Sequence, residues 1–324
     1  MPTFNSHGEP ASPQLTTPSP FGCLQHLVDS PSVTDVLVNR STVWVDDGSG
    51  LRRVPVWFDE APLDFAQRLI GAAGRHVDEV TPLAGASIDG VRVQVALPPA
   101  APGGPLIAIR TRAAELLTLR DLEASGTLTD WQATLLRRVT HSRESVLISG
   151  GTGSGKTTLL RAMIAELGPD VRILTIEDEI ELEIPHPHIV HLQSRQANVQ
   201  GAGALGLVEL LTAALRLRPD WLAVGECRGP ELVPFLSALN TGHVGGGTVH
   251  ANSLADVPAR LEMLGHLAGL TPGALRRQVT SAFQWCVHLE RTPMGRRARI
   301  ARLERVGSIL RLREVSADES GLVE

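Results

Sequence analysis

The sequence of 324 residues contains no tyrosine, and aromatic residues make up only 3 % of it. Leucine, valine, isoleucine and alanine must therefore form the buried core, and the hydrophobic content of 43 % is enough for a sizeable one. The three cysteines, Cys23, Cys227 and Cys286, lie far apart and form no CxxC pair. Neither a zinc site nor a disulfide framework is predicted, and a reducing cytoplasm fits this pattern.

The sequence also lacks an excess of positive charge, since its formal net charge is -5 at pH 7 and it contains no long basic run. A basic face normally drives binding to nucleic acid, so the charge argues against that partner. The N-terminus has neither the basic start nor the apolar core of a signal peptide. Uncharged stretches at 93–109 and 232–249 are interrupted by Pro, Gly, Asn or Thr, so we expect no membrane span.

Lysine is nearly absent: of the 30 basic residues, 29 are arginine and only Lys156 is lysine. A bias in genomic base composition explains the ratio, but the one remaining lysine lies in GGTGSGKTT, residues 150–158, which satisfies G-x-x-x-x-G-K-[ST]. An apolar strand pattern precedes this segment and a helical pattern follows it, as a P-loop requires. The predicted ATP- and phosphate-binding residues are Gly151, Thr152, Gly153, Ser154, Gly155, Lys156, Thr157 and Thr158.

In such a loop, backbone N–H groups converge on phosphate oxygens at the start of a helix. We expect Lys156 to contact the β- and γ-phosphates and the Thr157 hydroxyl to bind Mg²⁺. The apolar run at 221–225 ends in Glu226, the second predicted Mg²⁺ ligand and a predicted catalytic residue, because ligands bind at the carboxyl ends of parallel strands. Asp220 precedes that run, roughly 20 Å from Glu226, and cannot share the site. Gly225 stands where many P-loop enzymes carry a metal-binding aspartate.

A second acidic cluster, residues 177–183, follows another apolar run. Glu177 is the candidate for orienting the attacking water, although the cluster could also be a charged surface loop, and Asp178 could hold that loop together. His250 ends a further strand at the same edge and could sense the γ-phosphate. His243 has the simpler interpretation of a packed or hydrogen-bonded histidine.

The composition and the hydrophobic pattern change along the chain and divide it into four regions. We predict a disordered lead over 1–20, a small N-terminal α+β domain over 21–112, a linker over 113–129, and a P-loop domain over 130–324. In the first domain we expect a third strand over 54–58 and a single alternating strand over 87–97. In the second, strands alternate with helices, which indicates an α/β fold with a mainly parallel sheet, and runs at 286–291, 298–304 and 309–315 are expected to be antiparallel additions.

The order of the motifs resembles that of the ATPases of type II and type IV secretion and of type IV pilus assembly. The segments 150–158, 173–178, 217–228 and 241–252 look like that family's Walker A, Asp box, Walker B and His box. Segments 195–203 and 238–243 look most like the Tad/Flp pilus branch, and 89–92 with 109–110 look similar in the first domain. The resemblance covers about residues 30–305.

The resemblance implies a RecA-like domain and a Mg-ATP-hydrolysing motor that forms a homo-oligomer, a hexamer in this family. It implies a cytoplasmic protein, peripheral on the inner face of the cytoplasmic membrane, that docks on an inner-membrane platform protein of a pilus or secretion system. The paired-cysteine zinc element of some branches is absent, so no zinc is expected. Arginines from the N-terminal side or from a neighbouring subunit would complete the site, and the candidates are Arg110, Arg112, Arg195 and Arg228.

Three other functions remain open from the sequence: a RecA-like nucleic-acid motor, a DNA-transfer ATPase of the same superfamily, and a nucleotide-gated scaffold without useful turnover. A nucleic-acid motor needs a basic surface facing its substrate, and a scaffold does not need Glu226 or the acidic cluster. The sequence alone does not separate pilus assembly from protein secretion or from conjugation.

Overall fold

A computed structural model describes residues 19–47, 49–111, 116–195, 197, 203–292 and 294–317. The predicted disordered lead falls outside these residues, except for its last two. The backbone contacts divide the chain into two compact units, Met1–Ala114 and Glu115–Glu324. Among the helices of the described ranges, none has the length and apolar character needed to cross a membrane.

The first unit is built on an antiparallel sheet of six strands in the order β3-β2-β1-β6-β5-β4. These strands are β1 (Asp35–Asn39), β2 (Thr42–Asp46), β3 (Leu51–Val54), β4 (Leu83–Ile88), β5 (Val91–Ala96) and β6 (Leu106–Arg110). A short 3₁₀ turn (Gly22–Leu24) leads into α1 (Gln25–Val28), and α2 (Pro62–Ala72) follows the first three strands. Phe65, Leu69 and Ile70 of α2 bury their side chains against the valines of the sheet.

Two predictions for this unit need correction. The third strand ends at Val54 and does not start there, because Pro55 has no N–H to donate to the ladder. The expected single strand over 87–97 is a hairpin, in which Ile88 pairs with Val91 across Asp89 and Gly90. Both turn residues have positive φ, 50° and 79°, which is typical of the two-residue turns that join the strands of a hairpin.

The second unit contains a sheet of eight strands in the order β14-β13-β12-β7-β11-β10-β8-β9. The strands are β7 (Val146–Gly150), β8 (Ile173–Glu177), β9 (Ile189–Gln193), β10 (Trp221–Val224), β11 (Val244–His250), β12 (Trp285–Thr292), β13 (Gly295–Val306) and β14 (Ile309–Glu314). The helices are α3 (Leu119–Ala124), α4 (Asp130–His141), α5 (Lys156–Ile164), α6 (Leu207–Ala214), α7 (Leu232–Asn240), α8 (Val257–Leu267) and α9 (Pro272–Ala282), with 3₁₀ turns at Leu215–Leu217 and Leu254–Asp256.

Helices cover both faces of this sheet, as the alternation of side chains along the strands requires. Leu147 of β7 packs in one core with α6, α7, α8 and α9. Its neighbours Val146 and Ile148 point to the other face and pack with α3, α4 and α5. The six strands from β12 to β9 run parallel, and β13 pairs antiparallel with β12 on one side and with β14 on the other. The predicted α/β fold with a RecA-like, mainly parallel sheet is confirmed.

One strand direction differs from the prediction. The run at 286–291 was expected to be antiparallel, but β12 pairs in parallel with β7, with Leu289 opposite Gly150. The reason is its connection: α9 comes directly before β12, and a helical crossover returns the chain in the parallel direction. The carboxyl end of β12 therefore lies at the same edge of the sheet as the phosphate loop.

Candidate active site

The phosphate loop connects the end of β7 to the start of α5. Gly150, Gly153 and Gly155 all have positive φ, 153°, 68° and 103°, a region that favours glycine. A Cβ added to Gly150 would lie 2.4 Å from the Leu289 carbonyl oxygen and 2.5 Å from Oγ of Ser154. The loop therefore takes this path only with glycine at its first position, and it leads into the N-terminal end of a helix, where anions bind.

Lys156 is the first residue of α5, and its side chain folds back over the loop. Its Nζ donates to the Gly151 carbonyl oxygen at 2.8 Å, and the residue is only 8 % exposed. Burial lowers the pKa of the ammonium group, while the nearby carboxylates of Glu226 and Glu181 raise it. The Lys156 ammonium group is therefore held at the loop, and the carboxylates of Glu226 and Glu181, which belong to two other segments, are close enough to stabilise its charge.

Glu226 and His250 meet at the carboxyl edge of the sheet. Glu226 follows the end of β10, and His250 is the last residue of β11, opposite Gly150 of β7. The imidazole Nε2 lies 3.4 Å from Oε1 of Glu226, and both side chains are about one-third exposed. Burial lowers the pKa of His250, with Lys156 acting in the same direction and Glu226 opposing it. The histidine is therefore mainly neutral at neutral pH.

Glu177, the sequence candidate for orienting the attacking water, is a buried residue. It ends β8 and is only 3 % exposed. Its Oε1 accepts hydrogen bonds from the backbone N–H groups of Glu181 at 3.0 Å and Leu182 at 3.2 Å. Burial raises its pKa to about 7, against the lowering effect of these bonds. The buried Glu177 carboxyl group therefore fixes the backbone of the acidic loop. Glu181, in that loop, stabilises the charge of Lys156 electrostatically.

Asp178 and Arg228 form an ion pair between the acidic loop and the segment after β10. Asp178 also accepts a hydrogen bond from Oγ of Ser194 at 2.9 Å, in agreement with the role of holding the loop that the sequence left open. The backbone N–H of Gly229 donates to the buried Glu231 at 2.7 Å, which fixes the turn that carries Arg228. Arg228 is thus already paired with a carboxylate in this structure.

The other candidate arginines lie in different places. Arg195 is exposed and forms an isolated backbone bridge with Leu205. Arg110 belongs to β6 of the first unit, where its Nε lies 3.1 Å from the Asp35 carboxylate. Arg112 lies outside the described residues. Arg228 therefore lies at the sheet edge that carries Glu226, whereas Arg110 belongs to the first unit.

His243 and Cys227 show packed environments. The Nδ1 of His243 lies 3.1 Å from the carbonyl oxygen of Ala238, a residue in the last turn of α7, where it can donate a hydrogen bond. Cys227 is fully buried, and burial raises its pKa well above the usual value. It behaves as a small hydrophobic residue in the core and not as a reactive thiol.

Two residues beside the loop were missed by sequence reasoning. Glu181 is part of the acidic cluster at 177–183, but nothing in the sequence favoured it over Glu177 as a residue of the site. Arg296 of β13 has its Nη2 3.5 Å from the Gly153 carbonyl oxygen. No local signal marks Arg296, because only the parallel pairing of β12 with β7 brings that hairpin to the loop.

A RecA-like sheet, a glycine-rich loop at a helix start, a buried lysine and carboxylates at neighbouring strand ends together define a P-loop ATPase. The family model described as "Type II/IV secretion system protein" matches residues 27–302 of this chain. A putative conjugal transfer protein of Mycobacterium tuberculosis is 45 % identical over 287 residues, which are 85 % of this chain and 82 % of the relative. The type IV secretion system protein PtlH of Bordetella pertussis is 33 % identical, covering 72 % and 76 % of the two chains.

The fold also has solved counterparts. The pilus retraction motor PilT with bound ADP aligns with a TM-score of 0.61 at 21 % identity, over 90 % of this chain and 83 % of that one. The family match spans most of the sequence, including every motif of the site. The chain belongs to the type II/IV secretion system protein family and is an ATPase.

Proposed function

We propose that this ATPase is the Mg-ATP-driven motor of a Tad/Flp-type pilus or of a type II/IV secretion system. The observation that supports this most is the position of Lys156, which is buried at the phosphate loop within electrostatic reach of two carboxylates, Glu226 and Glu181. A loop that only bound nucleotide would not need acidic groups from two further segments at its lysine. Hydrolysis at this edge would drive motion of one domain against the other.

The residues around the loop fit a nucleotide with its metal. Gly151 and Gly153 border open space, which leaves room for phosphate oxygens, and Lys156 places a positive charge at the loop. Mg²⁺ needs only one or two protein oxygens in addition to phosphate oxygens, and the Thr157 hydroxyl and the Glu226 carboxylate would supply them. When bound, the metal ion neutralises charge that develops on the phosphates.

We assign the orientation of the attacking water to Glu181 and give Glu177 a positioning role. Glu181 acts electrostatically on Lys156, whereas Glu177 is buried and accepts bonds from the backbone of Glu181. A general base must reach the proton that it removes, and the oxygens of the buried Glu177 carboxyl group are engaged with the backbone of the acidic loop. His250, beside Glu226, would respond to the presence of the γ-phosphate.

Phosphate release by the purified full chain, measured with ATP and Mg²⁺, tests this proposal. Lys156→Ala should abolish turnover, and Glu226→Gln should lower kcat about 10²-fold or more. Glu183→Gln is the matched control, because Glu183 is an exposed carboxylate of the same acidic cluster. Turnover by Glu226→Gln at the wild-type rate would remove Glu226 from the mechanism, and normal turnover by Lys156→Ala would remove the nucleotide site.

Assembly into a homo-oligomer, a hexamer in our proposal, predicts that specific activity rises with protein concentration. Arg110, Arg112, Arg195 and Arg228 are the candidates to contact the γ-phosphate within one subunit or from the next. The arginine that does so can contribute about 10³–10⁵-fold to kcat, so alanine at that position alone should reproduce most of the loss. In this proposal the ring lies in the cytoplasm, peripheral on the inner face of the membrane, docked on a platform protein.

A second candidate is a DNA-transfer ATPase of the same superfamily, because a relative with 45 % identity is described as a putative conjugal transfer protein. The formal net charge of -5 argues against a DNA-facing surface on this chain. Turnover in the presence of DNA or of a platform protein separates the candidates. Stimulation by DNA alone would favour the second candidate, and stimulation by the platform protein alone would favour the first.

A further inference from the structure

An arginine from the last strands of the second unit lies along the phosphate loop. Arg296 follows the first residue of β13, and its Nη2 lies 3.5 Å from the Gly153 carbonyl oxygen. A Cβ built on Gly155 would lie 3.5 Å from Cδ of Arg296 and 3.7 Å from its Nε. The side chain is exposed, so it covers the loop while remaining accessible to a bound molecule.

The order of the strands determines which part of a nucleotide meets this arginine. Strand β7, which leads into the loop, lies between β11 on one side and β12 on the other. Glu226 and Glu181, which follow β10 and β8, act on Lys156 from the β11 side. The phosphate that is cleaved must face these carboxylates. The nucleoside then extends toward β12 and β13, the side on which Arg296 lies.

The chemistry of arginine suits that end of the nucleotide. A guanidinium group is planar and stacks on aromatic rings, and its attraction to a ring face adds affinity. The chain contains no tyrosine and few other aromatic residues, so few of its side chains could cover a base by ring stacking. The guanidinium group of an arginine offers a flat, positively charged surface to a purine.

We propose that Arg296 covers the purine base of the bound nucleotide and contributes to affinity without taking part in cleavage. The proposal rests on the nucleotide site described above. It predicts a specific split between two ligands: ATP carries a base, and inorganic tripolyphosphate carries the same chain of phosphates without one. A residue that contacts the base strengthens binding of the first ligand only.

The test measures the affinity of the full chain for ATP and for tripolyphosphate by calorimetry. Arg296→Ala should weaken ATP binding about three- to tenfold and leave tripolyphosphate binding unchanged. The ATP affinity of Arg296→Lys should lie between those of the wild type and Arg296→Ala, because lysine keeps the positive charge and lacks the planar group. Turnover at saturating ATP should stay at the wild-type rate. Arg297→Ala is the matched control, since neighbouring residues of a strand point to opposite faces.

The outcomes are separable. Equal weakening of ATP and tripolyphosphate would make Arg296 a phosphate contact and overturn the proposal, as would unchanged ATP affinity in Arg296→Ala. Thermal melting of each variant checks that the fold is kept, which the exposed position of Arg296 favours. If the wild-type chain bound neither ligand, the nucleotide site itself would be wrong, and that result is distinct from a failure at Arg296 alone.

Discussion

A Cβ added to Gly225 would lie 2.9 Å from Cγ of Glu177 and 3.1 Å from its Oε1. The two residues meet because β8 and β10 are parallel neighbours, with the Gly225 N–H donating to the Ile176 carbonyl oxygen at 3.0 Å. Many P-loop enzymes carry an aspartate at the position of Gly225. In this chain the carboxyl group beside that position comes from the neighbouring strand, and it leaves no room for a side chain at 225.

We predict that Gly225→Ala destabilises the chain by about 1–3 kcal/mol, because the new methyl group overpacks against a buried side chain. Urea unfolding at constant pH gives the free energy of unfolding. Gly168→Ala is the control, since a Cβ at Gly168 meets nothing within 4 Å. When Glu177 is first replaced by alanine, the additional substitution Gly225→Ala should cost little stability, because the side chain that the new methyl group meets is gone. Equal stability of Gly225→Ala and Gly168→Ala would show that the two side chains do not compete for space.

Exchanging carboxylate for amide separates the roles of Glu177 and Glu181. Glutamine at 177 keeps an oxygen that accepts the backbone N–H groups of Glu181 and Leu182, so Glu177→Gln should retain turnover within about tenfold. Glutamine at 181 removes the group assigned to the attacking water, and kcat should fall about 10²-fold or more. Steady-state kinetics at saturating ATP measures both. A larger loss in Glu177→Gln than in Glu181→Gln would return the water-orienting role to Glu177.

The buried carboxyl group of Glu177 should also make stability depend on pH. Its pKa is raised from 4.5 to about 7 by burial, so between these values the folded chain holds a proton that the unfolded chain has released. The stability contributed by this group is fully present below about pH 4.5 and is lost as the pH rises through about 7. The loss is at most about 3–4 kcal/mol.

Urea unfolding across this pH window checks the effect. Glu177→Gln cannot titrate at that position, so the stability of the wild type relative to this variant should decline from about pH 5 to about pH 8. Other titrating groups act on both chains alike and cancel in the difference. A difference that stays constant, or that grows as the pH rises, would mean that Glu177 is not desolvated in the folded chain.

Local patterns were enough to predict one part of the site. The strand, the glycine-rich turn and the helix of the phosphate loop are contiguous, so their local structure could be predicted from residues 146–164 alone. Glu226 and His250 were predicted to lie at one edge because Glu226 follows one strand and His250 ends another, and parallel strands bring their carboxyl ends to a common edge. For these groups the sequence order already contains the spatial arrangement.

The remaining parts depend on contacts between distant segments. The burial of Glu177 is set by the turn that carries Leu182 and by the absence of a side chain at Gly225, and neither constraint is visible in an acidic run. Arg296 reaches the loop only because β12 is parallel to β7. That direction was predicted incorrectly, so the arginine could not have been placed.

His250 provides a last test, because its imidazole lies beside Glu226 and its pKa is lowered mainly by burial and then by Lys156. The ring is neutral at neutral pH, and below its depressed pKa it gains a positive charge that competes with Lys156 and Mg²⁺ for the Glu226 carboxylate. Turnover should therefore fall on the acid side, at pH values below 6.5, the ordinary pKa of histidine. His250→Gln keeps a polar side chain and cannot titrate, so it should lower kcat about tenfold and flatten this acid limb. His243→Gln is the control, because His243 contacts a carbonyl oxygen at the end of α7. An acid limb that is unchanged in His250→Gln would assign it to another group.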